Sequence, residues 1–138
     1  MARPPDAALQ VALDQRRARL ELAQRALSER ERVLRERTEA LLSAQARTRM
    51  VLLQIDNAQQ PAPGVSLPVV VLGDLERLLD WCQVQVMVAQ ERLRAAEDET
   101  HQARGQLASA HQAVRALELV LAGRAAERAE VRRREELR

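Results

Sequence analysis

The chain has 138 residues, 46% of them hydrophobic, yet only one is aromatic, Trp81. Without Phe or Tyr it lacks the bulky side chains that fill a broad globular core, whereas Leu, Ala and Val suit long, narrow seams. All 22 basic residues are Arg, set against 20 acidic ones, so the formal charge is only +2. Charge is therefore mixed and not massed into one field, which argues against specific nucleic-acid binding.

Taken in chain order, Met1 to Pro5 contain Arg3 and two prolines but no apolar export segment. A first helix is expected over about 6–56. Leu13, Leu20, Leu27, Leu34 and Leu41 recur every seven residues, and Leu9, Ala23, Ala44, Val51 and Ile55 fall at the intervening steps. That is a heptad seam. Its companion positions Arg16, Arg30 and Arg37 are charged, and Thr48 stands where a leucine would fit. Long arginine stems cover a narrow seam while their heads reach water, so a two-stranded contact with open edges is expected.

A connection follows over about 57–66, where Pro61, Pro63 and Gly64 stop the helix and turn the chain. Ser66 suits a helix cap with Pro68 in the first turn, and Asp74 after Gly73 suits a later start; both stay open. The second helix, about 67–138, carries the cleaner pattern. Leu75, Leu79, Cys82, Val86, Ala89, Leu93, Ala96, Thr100, Ala103, Leu107, Ala110, Val114, Leu117 and Leu121 alternate spacings of four and three without a break. At 1.5 Å per residue the two helices would run roughly 75 and 100 Å.

Such stripes must be covered, and a short connection makes antiparallel pairing within the chain the least costly solution. The expected fold is all-α: one domain, 1–138, forming an elongated two-helix antiparallel coiled-coil hairpin. A parallel homodimer with a disrupted middle is the alternative. The first arm is expected to end opposite roughly Leu117, leaving Gly123 to Arg138 unpaired. This end carries Arg124, Arg128, Arg132, Arg133, Arg134 and Arg138 among Glu127, Glu130, Glu135 and Glu136. It reads either as a solvated helix or as a tip that touches a polar partner.

Catalytic chemistry finds little support. His101 and His111 lie ten residues apart on one helix, about 15 Å, too far to share a metal. Cys82, the only cysteine, falls on the seam and reads as a small buried hydrophobe. There is no Gly-rich phosphate loop or nucleophile motif, so no enzyme activity, cofactor or metal is expected. Leu67 to Leu72, the longest strongly apolar stretch, is broken by Pro68 and is far shorter than the roughly 20 residues of a membrane span. A soluble intracellular protein without an integral membrane segment is expected. Trp81, Val84 and Val88 fall on a face other than the seam. They read either as covered by Val69 to Val71 or as a partner-binding stripe.

Leu13 to Leu41, the break at Pro61 to Ser66, the opening Leu75, Leu79 and Cys82, and the Arg- and Glu-dense end after Leu117 and Glu118 together carry a resemblance. The whole chain resembles the flagellar FliJ family and the corresponding stalk proteins of virulence-type type III secretion. The resemblance implies a cytoplasmic central stalk at the base of a protein export apparatus, linking a hexameric export ATPase to the cytoplasmic domain of the export gate. Export chaperones are further implied partners. Gate contact would then involve Leu75, Leu79, Trp81, Val84 and Val88, and ATPase contact Arg124, Arg128 and Arg132. The alternative is a generic coiled-coil scaffold or chaperone-binding protein without a stalk role.

Overall fold

A computed structural model describes residues 5–60 and 69–138 and contains two helices, α1 (Ala7–Gln59) and α2 (Val69–Glu136). They pack antiparallel as a coiled-coil-like hairpin. Helix α1 runs on through Asn57, Ala58 and Gln59, residues rich enough in helix-compatible side chains to carry it beyond Asp56. Helix α2 is already formed at Val69, which rules out a start at Asp74 and leaves Gly73 inside the helix. The expected turn residues Pro61, Pro63 and Gly64, and the expected cap Ser66 with Pro68, lie outside the described residues.

Contacts divide the hairpin into two units, one joining residues 1–29 with 101–138 and the other spanning 30–100. In the first unit Leu13, Val114 and Leu117 form the buried centre, with Leu9, Ala12, Leu20 and Leu121 packed against it. Leu13 retains 3% of its accessible surface. Arg16 is half-buried and its Nη1 donates to the Ala113 carbonyl at 3.0 Å. The stem thus fills a seam position while the guanidinium finds a backbone acceptor, the behaviour expected of a seam arginine.

In the second unit the buried side chains are Ala44, Val51, Cys82, Ala96 and Thr100. Arg30, at a seam position but exposed, leans out to Glu99, Nη1 to Oε2 at 2.8 Å. Thr100 is 2% exposed and its single hydroxyl hydrogen serves the Ala96 carbonyl at 2.7 Å. The same oxygen lies 3.4 Å from the Arg30 carbonyl, so the helix backbones approach closely here. In the register these contacts define, Leu34 of α1 is level with Ala96 of α2. The first unit repeats the arrangement, with Leu27 level with Ala103. Leucine on one helix meeting alanine on the other keeps the layer filled at short interaxial distance.

All fourteen expected seam positions of α2 are buried or half-buried, and on α1 the expected series from Leu9 to Ile55 is covered except at Arg30. The seam makes a sharp contrast testable. Leu13→Ala should cost roughly 2–3 kcal/mol, because it opens a cavity in a layer with few neighbours to collapse into it. Leu22→Ala, at a site 62% exposed, should stay within about 0.5 kcal/mol. Urea denaturation of both variants followed by circular dichroism checks this, and equal losses would contradict the register.

Candidate interaction sites

Beyond Leu121, the three- and four-residue steps of the α2 seam fall on Arg124 and Arg128; before Leu9, the α1 seam falls on Asp6. The structure brings these three together. Asp6 accepts from Arg124 Nη1 at Oδ1, 2.7 Å, and from Arg128 Nη1 at Oδ2, 2.5 Å. Its side chain is 6% exposed, while those of the two arginines are 55% and 40% exposed. The seam therefore closes at this end with a charged layer in place of an apolar one.

This contact corrects the expectation that the first arm ends opposite Leu117. Leu13 already packs with Val114 and Leu117, so the further turn of α1 reaches Arg124 and Arg128. Arg124 and Arg128, read as part of an unpaired tip, are paired within the chain. Arg132, one turn further on, is exposed and has no acidic partner among the described residues. Arg133 and Arg134 both pair with Glu130.

Asp6 is also a backbone exception. Its φ of 67° lies in the left-handed region, which side chains other than Gly, Asn and Asp seldom enter. Its carbonyl accepts the first helical bond, from the Gln10 amide at 2.9 Å, as at a helix N-cap. An N-cap normally has extended backbone angles and turns its side chain onto its own helix. Here both carboxylate oxygens are directed to α2 instead. The Arg128 hydrogen bond, followed by that of Arg124, holds the Asp6 carboxyl below the usual aspartate range.

The second surface lies near the start of α2. Leu75 and Leu79 are half-buried in the seam. Trp81 and Val84 point outward, 51% and 53% exposed, and three-residue spacing sets them on one face. Val88 is half-buried and lines a cleft of about 190 Å³ with Ala44, Ala89, Arg37 and Arg47; seven residues after Trp81, it shares that residue's heptad position. Leu78 and Met87, which the seam pattern gave no reason to single out, are exposed beside Trp81 and Val84. Val69, Val70 and Val71 do not cover the tryptophan; they are exposed residues of α2 itself. On α1 of the same unit Leu42, Met50, Leu52 and Leu53 are also exposed.

Among the described residues no group of His, Cys, Asp and Glu is placed to hold a metal, and no helix is long and apolar enough to cross a membrane. Cys82 is a free, buried thiol. Comparison with family models, with curated proteins and with solved structures returns no match for the chain.

The pairing of Asp6 with Arg124 and Arg128 predicts a pH response of definite sign. Because the folded-state pKa of Asp6 is depressed, its contribution is present above the ordinary aspartate value of about 3.9. It is lost as pH falls below that value through the folded pKa. The Cα chemical shifts of the first turn of α1 should therefore move toward coil values only at acid pH, and Asp6→Asn should abolish that step. Arg128→Gln and Arg124→Gln should each raise the Asp6 pKa, as carbon-detected carboxyl titration would read; an unchanged pKa in both variants would contradict the contact geometry.

Proposed function

We propose that the chain is a helical-hairpin scaffold that acts by binding other proteins and catalyses no reaction itself. One observation carries this reading. The two helices use their seams on each other, yet large apolar side chains, Leu78, Trp81, Val84 and Met87 on α2, remain outward on a mostly polar surface. Exposed apolar clusters with an aromatic anchor are typical of protein contacts.

The finer reading is a central stalk of a flagellar or other type III export apparatus, on the cytoplasmic side. It is supported by the resemblance of the seam, break and charged end to the FliJ family. In it, the turns around Arg124, Arg128 and Arg132 contact the hexameric export ATPase, and the face around Trp81 contacts the cytoplasmic domain of the export gate. Polar contacts suit the first partner, since Arg forks match carboxylates. The coarser scaffold reading does not depend on this one.

Purified chain should retain a hexameric export ATPase in a pull-down, and Arg132→Glu should weaken that binding. Arg132 is the clean probe because Arg124 and Arg128 also close the hairpin. Unchanged ATPase affinity would move that interface elsewhere. Trp81→Ala should weaken gate binding by at least about 1 kcal/mol while leaving ATPase binding intact. Calorimetric titration of both partners checks this, and equal losses for both would point to damaged folding.

A further inference from the structure

We propose that Arg124 and Arg128 form a carboxylate-binding site for an acidic segment of a partner protein, and that Asp6 occupies this site in cis until such a segment displaces it. The inference rests on the reading of the chain as a protein-binding hairpin.

The geometry is that of a receptor with its ligand in place. Two guanidiniums one helical turn apart each take one oxygen of a single carboxylate, at 2.7 and 2.5 Å. Both arginine side chains remain partly exposed, 55% and 40%, while the Asp6 side chain between them is 6% exposed, so the site borders solvent from which a second carboxylate can approach. The cis ligand is held at a backbone cost, since Asp6 sits at φ 67° and forgoes capping its own helix. Its release would return that cost. Arg124, Arg128 and Arg132 also follow one another at four-residue steps, whereas Asp6 meets only the first two. A run of acidic side chains would engage all three and thereby outcompete a single aspartate.

A protein segment fits this site better than a nucleic acid. The group now bound is a carboxylate, whose two oxygens match the two guanidiniums one to one. Asp6→Asn is the discriminating variant. Asparagine tolerates the left-handed backbone angle, so the turn is kept while the competing charge is removed.

The test uses the full chain and a fluorescent octaglutamate peptide, with an octaglutamine peptide and a single-stranded DNA oligomer of equal charge as comparators, all followed by anisotropy at low salt. Asp6→Asn should bind octaglutamate about tenfold more tightly than wild type, the gain expected when a site free about a tenth of the time becomes always free. Arg124→Gln combined with Arg128→Gln should remove that gain, and circular dichroism should show the helices retained. Equal affinity of wild type and Asp6→Asn would overturn the proposal, as would an undiminished affinity of the double variant. Tighter binding of DNA than of octaglutamate through the same arginines would overturn it in favour of a nucleic-acid site. Because no ATPase is present, a failure of the stalk reading leaves this test intact, and its own failure leaves the ATPase pull-down unaffected.

Discussion

A one-sided apolar stripe on each helix, covered by the other, is the constraint from which the remaining features follow. Neither helix can leave such a stripe in water, and with one aromatic residue in the chain no third layer of bulky side chains is available. The solution is size complementarity across a two-helix contact: Leu27 against Ala103 in one unit, Leu34 against Ala96 in the other. Small residues bring the backbones close enough for the Thr100 hydroxyl to lie 3.4 Å from the Arg30 carbonyl. Close approach in turn leaves room for arginine stems at the edge, as at Arg16, whose head is satisfied by the Ala113 carbonyl.

Because the seam is thin, each helix keeps most of its circumference free, and that free surface is where function must reside. Both units expose large apolar side chains, Leu22 and Leu119 among them in the first. In the second, outward Leu78, Trp81, Val84 and Met87 provide apolar contact area. In the first, the seam gives way to Asp6, Arg124 and Arg128, a layer whose strength depends on charge and which salt weakens.

Much of the fold was legible in the sequence because heptad spacing states directly which residues share a face. Cys82, Thr100 and Leu117 were placed on the seam from spacing alone, and all three are buried. The extent of pairing was less legible. Folding the chain near Ser66 back beside Asp56 ends the first arm opposite Leu117, whereas the observed register sets Thr100 beside Arg30 and so brings Asp6 to Arg124. Continuing the same steps would have placed Asp6 and the two arginines on the seam. The backbone angle of Asp6 had no sequence signal beyond the tolerance of aspartate for that region.

The central claim is that the seam closes within a single chain, and a distance measurement under dilution tests it most directly. In a Cys82→Ala background, spin labels at Ser28→Cys and Gln102→Cys occupy exposed positions on opposite helices of the first unit. Interaxial spacing of 8–10 Å places the labels about 10–20 Å apart. In an intramolecular hairpin this short distance persists unchanged when labelled chain is diluted into a large excess of unlabelled chain. Its disappearance on dilution would show that the helices pair between chains, and would contradict the hairpin.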